Sequence, residues 1–235
     1  MKRFYKTASA GEAAEAPEHY AVLLDGRPVK TPAKRPLTVR SRALAEAIAA
    51  EWEAQGEEVV PQSMPLMALA CSAIDLIPQR RAEEISELTA YGETELLCYR
   101  SERPGPLADR QAAAWQPLLD WAERHLDAPL TPVAAIVHQP QPQQSLAALR
   151  RAIESHDDLQ LAALSLAVRS SGSLIIGLAL SHGALMAEEA FDAAELDATH
   201  QIELWGEDIE ATKRRAGVRS DLAAARKLFE LVRRG

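Results

Sequence analysis

The sequence has few cysteines, and none of them stands in a pattern that binds metal. Cys71 and Cys98 are the two cysteines of the 235-residue chain, and each lies within an apolar stretch. Neither belongs to a Cys-x-x-Cys or a mixed Cys/His spacing, which excludes the usual zinc patterns. We therefore expect both to be small buried hydrophobic residues in a protein of a reducing compartment.

Long hydrophobic runs are also missing. The longest one, SLIIGLAL at 173–180, is far shorter than the ~20 residues that span a bilayer. The first residues, MKRFYK, are basic, but no apolar run of signal-peptide length follows them. The sequence predicts a cytoplasmic protein that does not insert into a membrane.

Positive charge is in deficit. The formal net charge is −8 and the isoelectric point is near 5.3, which argues against nucleic acid as a partner because phosphate binding depends on clustered Lys and Arg. Hydrophobic residues make up 47% and charged residues 26% of the chain. This composition is typical of a compact protein with one large or two modest domains and suggests a cationic partner surface.

Motifs for nucleotide binding and nucleophilic catalysis are absent from the sequence. SGSLIIG at 171–177 is followed by no lysine, so it is not a phosphate-binding loop. Ser181 and His182 are adjacent and lie outside any G-x-S-x-G element. We predict no catalytic residues and no cofactor from these patterns.

The first sixty residues predict a small α+β domain. In HYAVLLDGRPVKTP, Asp25 and Gly26 separate two extended runs and fit a type I′ hairpin. PLTV at 36–39 adds a third strand, and Ser41 can cap a helix over 42–55 that ends before Gly56. We predict an antiparallel sheet with one helix, as domain 1–62.

Helical patterns dominate after Pro61, so we predict a larger all-α domain of orthogonal helices at 63–235. Ser63 is the expected cap of a buried apolar helix at 65–77, and Pro117 should kink a helix or start a new one. Residues 131–144 are expected to be a long connection. A long helix is predicted from about 186 to 213, and a separate one after Ser220.

On a helical wheel, the 186–213 segment separates apolar from acidic residues. The wheel predicts one core stripe, in which Trp205 is structural: Phe191, Ala194, Ala198, Ile202, Trp205 and Ile209. A second side collects acids: Asp192, Glu195, Glu203, Glu207 and Glu210. Between 183 and 211 there are nine acids and no Lys or Arg, whereas 212–235 holds eight bases and two acids.

Leu196 and Leu204 fall beside these acids, outside the core stripe. Apolar residues next to an acidic stripe are typical of a protein-binding site. The alternative is a solvent-exposed acidic face whose charge is neutralised by the basic C-terminal segment of the same chain. Glu210 and Arg214 stand at a favourable helical spacing for such a pair. Both interpretations remain open from the residues alone.

Asp197, His200 and Glu203 could instead form a metal site on two helical turns. The wheel separates Asp197 from Glu203 by roughly 120°, and no second Glu-x-x-His element completes a carboxylate-bridged site. We therefore predict no metal. A metal- or small-molecule-dependent enzyme that uses the acidic cluster around Asp197–Glu210 is the alternative function.

Eight segments, in order, resemble the assembly chaperones of the F-type ATP synthase catalytic head, over almost the whole chain from Arg3 to Arg215. They are RFYK, VLLDGRPVKTPA, AAEWEAQ, MPLMALACSAID, LLCYR, WQPLLDWA, SLIIGLAL and EAFDAAELDATHQIELWGEDIEA. The first segment begins at residue 3, so the chain looks like a bacterial, cytoplasmic member; eukaryotic relatives work in the mitochondrial matrix. His200 departs from the aromatic residue that relatives often carry.

The resemblance implies an ATP-independent chaperone, monomeric, that binds the free alpha subunit and shields the surface that later contacts the beta subunit. It also marks Trp52, Glu203, Trp205, Gly206 and Glu207 as family-motif residues. Combining this with the wheel, we expect a partner-binding surface made of Leu196, Glu203, Leu204, Glu207 and Glu210. Trp52 lies on the apolar side of its helix, and we expect it to pack the two domains together.

Overall fold

The structure, a computed structural model, describes residues 1–102, 104–134, 139–206 and 208–233. These residues form four strands and ten α-helices. The strands are β1 (Ala8–Glu12), β2 (Tyr20–Leu24), β3 (Arg27–Pro28) and β4 (Thr38–Val39). The helices are α1 (Arg42–Glu53), α2 (Pro65–Asp75), α3 (Ile77–Glu93), α4 (Pro106–Leu126), α5 (Gln143–Glu154), α6 (Asp158–Ser171), α7 (Leu174–His182), α8 (Ala187–Ala194), α9 (Leu196–Trp205) and α10 (Ile209–Arg233).

The fold class is α+β, as predicted, and the chain forms two compact units. The first unit comprises Met1–Arg81, Asp158–Ala163 and the described residues from Lys227 onward. The second comprises the described residues of Ala82–Asp157 and Leu164–Arg226. The division at residue 62, drawn from the change in sequence texture, stays a prediction.

Strand β2 is the centre of the sheet and pairs antiparallel with β1, β3 and β4. Asp25 and Gly26 both have positive φ angles, 48° and 77°, so the type I′ hairpin between β2 and β3 is confirmed. β4 confirms the third predicted strand. Strand β1 was missed because its sequence, ASAGE, has no β-branched or aromatic residue that would mark a strand.

The start of α1 is confirmed and the start of α2 is corrected. Ser41 accepts a hydrogen bond from the backbone N–H of Leu44 at 3.2 Å, as an N-cap residue does. Ser63 caps nothing. Instead, the Glu51 carboxylate on α1 accepts the backbone N–H groups of Leu66 and Met67 at 2.8 and 2.9 Å, so a side chain distant in sequence satisfies the first turn of α2.

Three further expectations need correction. Pro117 lies inside α4, which continues to Leu126, so the alternative in which it starts a new helix is wrong. Cys98 is buried but Cys71 is half-buried, and both are free thiols. Residues 131–134 and 139–142 are non-helical as expected, residues 135–138 lie outside the described residues, and the predicted end of the connection at 144 is wrong because α5 already begins at Gln143. None of the described helices is both long and apolar enough to cross a bilayer.

Glu95 organises the start of α7 in the second unit. Its carboxylate is fully buried and accepts the backbone N–H groups of Leu174 and Ile175 at 2.9 and 3.2 Å, together with the Ser173 hydroxyl. Burial raises the pKa of Glu95 to about 7, although the hydrogen bonds from Ser173 and the backbone oppose the shift. A carboxyl group at a helix N-terminus is favourable because it meets otherwise unpaired donors.

We expect Glu95→Gln to remove a pH dependence of stability. Between about pH 4.5 and pH 7 the folded chain holds the Glu95 proton more tightly than the unfolded chain does, so this group's contribution to the free energy of unfolding falls as the pH rises. Urea unfolding should show that the free energy of unfolding of the wild type falls by roughly 2–3 kcal/mol relative to that of the variant between about pH 5 and about pH 8.

Glu93→Gln is the matched control, because Glu93 is exposed two residues away. That variant should keep the wild-type pH profile. If Glu95→Gln also kept it, another group would be the one that titrates.

Candidate functional site

The acidic segment is broken into three helices rather than one. α8 ends at Ala194, α9 ends at Trp205, and α10 begins at Ile209 and runs on through Ser220. The predicted continuous helix over 186–213 and the separate helix capped by Ser220 are therefore both wrong. A wheel drawn through all three helices assigns faces incorrectly, because each break changes the direction of the chain.

The break at the end of α9 follows from its residues. Gly206 has φ 86° and ψ 167°, a conformation that side-chain-bearing residues rarely adopt. The Asp208 carboxylate then accepts the backbone N–H of Ala211 at 2.8 Å, which caps α10. A glycine stop followed by an aspartate start is a boundary signal that was present in the sequence.

The predicted core stripe is wrong at its C-terminal end. Phe191 is buried, but Trp205 is 82% exposed and Ile209 is 75% exposed. Trp205 is thus not a core residue. Leu204, at the end of α9, is also 59% exposed. These three side chains, Leu204, Trp205 and Ile209, border the turn at Gly206, and we call them the apolar corner.

Exposed large apolar side chains that occur together mark interaction surfaces more often than isolated ones do. Among such side chains, Trp is the one that most often contributes a large part of the binding energy once it becomes desolvated. The apolar corner is therefore the candidate functional site of the second unit. Among the predicted partner-binding residues, Leu204 and Glu203 end α9 and Glu210 begins α10, whereas Leu196 is half-buried at the start of α9. Glu207 lies outside the described residues.

Part of the acidic side is neutralised by the chain itself. The Glu195 carboxylate, 5% exposed, accepts two hydrogen bonds from Arg214, at 2.8 and 2.6 Å, and one from Arg215 at 3.2 Å. The hydrogen bond to Glu195 raises the pKa of Arg214. The favourable spacing of Glu210 and Arg214 produces no ion pair, because the Arg214 guanidinium is directed to Glu195.

Two further acids have partners in the second unit. Arg219 pairs with Glu188 at 2.9 Å, and Arg110 on α4 pairs with Glu203 at 2.6 Å. Asp192 and Glu210 form no ion pair with any residue in the described ranges, and both are exposed. Glu210, the residue after Ile209, thus leaves an unpaired acid at the corner, although fewer carboxylates are unpaired than the sequence indicated.

The carboxylates of the hypothetical metal site have separate partners. Asp197 accepts a hydrogen bond from Gln111 at 2.8 Å, while Glu203 pairs with Arg110. Within the ranges that the structure describes, no three His, Cys, Asp or Glu side chains form a group that could hold an ion.

The remaining family-motif residues lie in the first unit. The Asp25 carboxylate accepts the backbone N–H groups of Lys6 and Thr7 at 3.0 Å, and these hydrogen bonds, that of Thr7 foremost, lower the pKa of Asp25. Trp52 is 8% exposed, and its backbone carbonyl accepts the Tyr5 hydroxyl at 2.6 Å. Its expected role in packing two domains together stays a prediction.

Known proteins resemble the chain closely. The sequence model of the family described as ATP12 chaperone protein matches residues 2–123. A solved structure of Atp12 from Paracoccus denitrificans has 37% sequence identity and a TM-score of 0.91, covering 98% of this chain and 97% of that one. A mutant of the same protein has 36% identity and the same coverage and TM-score.

A protein from Agrobacterium tumefaciens has a similar structure. It has 39% sequence identity with this chain and a TM-score of 0.93, over 98% of this chain and 86% of that one. The similarity to these proteins therefore extends over nearly all of the chain, well beyond the 2–123 segment.

The exposure of Trp205 predicts that its removal leaves stability nearly unchanged. Trp205→Ala should alter the free energy of unfolding by no more than about 0.5 kcal/mol, as for other surface positions. Trp115→Ala is the comparison: Trp115 is 1% exposed and its indole N–H donates to the Ala193 carbonyl at 2.9 Å. That truncation should cost about 3–5 kcal/mol. Denaturant unfolding of both variants measures the two changes in the free energy of unfolding. Equal losses of stability would mean that Trp205 is a core residue after all.

Proposed function

The chain belongs to the ATP12 chaperone family, and from this premise we propose that it binds the free alpha subunit of the F-type ATP synthase catalytic head. The chaperone keeps the subunit from aggregating until the beta subunit replaces it. It acts without ATP, as a monomer in the bacterial cytoplasm.

The observation that carries this proposal is the apolar corner. An orphan subunit of a ring exposes an apolar interface that self-associates unless another protein covers it. Trp205, Ile209 and Leu204 are exposed by 82%, 75% and 59%, so they can cover such a surface without any unfolding of the chaperone. The core of the second unit does not use these side chains, so they are available for contact with a partner.

The unpaired acid next to the corner, Glu210, supports the same function. Complementary charge speeds encounter and selects partners more than it adds affinity. Glu210 is available for a basic client surface, since it has no ion-pair partner in the described part of the chain. A small apolar contact with charged borders also permits release, because the beta subunit must compete for the same surface.

Replacing two corner residues tests the apolar contact. Trp205→Ser with Ile209→Ser should leave the thermal melt unchanged and reduce the amount of alpha subunit kept soluble on co-expression by about tenfold, the equivalent of 1.4 kcal/mol. The matched control is Leu76→Ser with Met186→Ser. It removes two large apolar side chains that are also exposed, by 56% and 53%, and that do not belong to the corner. Equal loss in both variants would mean that general surface hydrophobicity, not the corner, holds the client.

Reversing a charge tests the acidic border separately. Glu210→Lys should slow capture of the alpha subunit about threefold to tenfold at low salt and leave it unchanged at high salt, because screening removes long-range steering. Glu58→Lys is the control, since Glu58 is an exposed acid of the first unit. Stopped-flow association rates measure the effect. A salt-independent change would indicate local damage rather than steering.

A further inference from the structure

The first unit contains a groove that the proposed client contact at the corner does not use. Its volume is about 970 Å³, at the upper end of the ~300–1,000 Å³ typical of ligand pockets. The turn and strand after β2 form one wall, and α1 and α2 form the other. We call it the Met-aromatic groove after the side chains that line it: Met1, Phe4, Tyr5, Trp52, Met64 and Met67.

Two apolar side chains of this groove are exposed yet held in place. Met1 is 71% and Phe4 is 63% exposed. The backbone between them is fixed, because Val59 donates to the Met1 carbonyl at 2.7 Å and Arg3 donates to the Glu57 carbonyl at 2.8 Å. The Phe4 ring lies edge-on to Tyr5, with centroids 5.3 Å apart. Exposed apolar groups on an ordered backbone are pre-organised to bury against a ligand.

Methionine and aromatic side chains together favour a protein ligand. Methionine is flexible and polarisable, so it adapts to varied apolar partners, and it is over-used at such binding surfaces. The groove contains three of the four methionines of the chain. The indole N–H of Trp52, in its wall, is buried and has no hydrogen-bond acceptor among the described residues. The wall is thus not fully satisfied in the free protein.

The strand wall offers no free hydrogen-bond ladder to an extended peptide. Val29 donates to the Val22 carbonyl at 2.8 Å and accepts from Leu37 at 3.0 Å, and Thr31 donates to the Arg35 carbonyl at 2.9 Å. Pro28 has no N–H group. An extended peptide therefore finds few backbone partners at this wall, which favours recognition through side chains, as when an amphipathic helix lies in an apolar groove.

The rim of the groove is basic although the chain is acidic. Arg27 and Lys30 line it and are exposed, and neither side chain forms an ion pair with any residue in the described ranges. The one acid of the lining, Asp25, already accepts the backbone N–H groups of Lys6 and Thr7. The charge available to a ligand at this rim is therefore positive, which favours carboxylates in the occupant.

We propose, on the premise of the chaperone function above, that the Met-aromatic groove binds an amphipathic helical segment of the client whose apolar face is flanked by Asp and Glu. Apolar side chains of the helix enter between Phe4, Trp52 and Met67, and its acids lie against Arg27 and Lys30. The protein then holds its client by two chemically different contacts, an acidic-bordered corner and a basic-rimmed groove.

A designed peptide tests the groove without requiring the alpha subunit. The probe is a labelled helix of about 16 residues with Leu and Phe on one face and Glu beside them, and fluorescence anisotropy measures its binding to the full chain. We expect saturable binding that weakens with salt. A peptide with Lys in place of every Glu should bind about tenfold more weakly.

Two pairs of variants locate the binding. Ala68→Glu places a charge on an exposed groove residue and should weaken probe binding about tenfold, whereas Ala50→Glu, on an exposed position of α1 outside the lining, should not. Arg27→Glu with Lys30→Glu should abolish the preference for the acidic peptide. Lys34→Glu with Arg40→Glu reverses two exposed charges outside the lining and should preserve that preference.

The outcomes separate the groove from the corner. The variant Trp205→Ser with Ile209→Ser should bind the probe normally. If that variant loses client capture while probe binding stays intact, the corner and the groove are independent contacts. If Ala68→Glu and Ala50→Glu behave alike, or if the acidic and basic peptides bind equally, the proposal is overturned. Binding of oleate but of neither peptide would also overturn it, in favour of a lipid-like ligand.

Discussion

The arrangement of the second unit depends on the ion pair between a buried carboxylate and two arginines. Glu195 joins α8 to α9, and Arg214 and Arg215 lie on the first turns of α10. Removing the arginines would leave the buried Glu195 charge uncompensated, so the ion pair specifies one arrangement even where its net stabilisation is small. Because α10 is tied to the junction before α9, the connection through Gly206 turns at the surface and exposes Leu204, Trp205 and Ile209.

The same ion pair limits how much acid remains for a partner. A segment with nine acids and no bases could present an extended acidic stripe, but Arg110, Arg214, Arg215 and Arg219 take part of it into intramolecular pairs. Of the acids that remain unpaired, Glu210 lies next to the exposed Ile209. Such a surface favours transient contact, since a large hydrophobic interface would bind a partner too tightly for release.

The first unit carries a different surface chemistry, to which the proposal above assigns a second client contact. Its methionines and aromatic rings surround a groove that the unit does not fill with its own side chains, and its rim carries the charge opposite to that of the chain as a whole. A holder with two chemically distinct contacts can select one client more sharply than either contact alone, because a competitor must satisfy both. Loss of one contact then weakens capture without abolishing it.

Local signals in the sequence determined the hairpin at Asp25 and Gly26, the Ser41 cap and the α+β class, because each depends on a few neighbouring residues. The eight family segments determined the family, since their order over the chain does not require a structure. Tertiary contacts decided the rest. Strand β1 exists because it pairs with β2, and α2 begins where the distant Glu51 accepts its N–H groups. Trp205 is exposed because a break at Gly206 and the pairing of Glu195 with Arg214 redirect the chain. A helical wheel assumes one straight axis, and it cannot register a turn that long-range ion pairs stabilise.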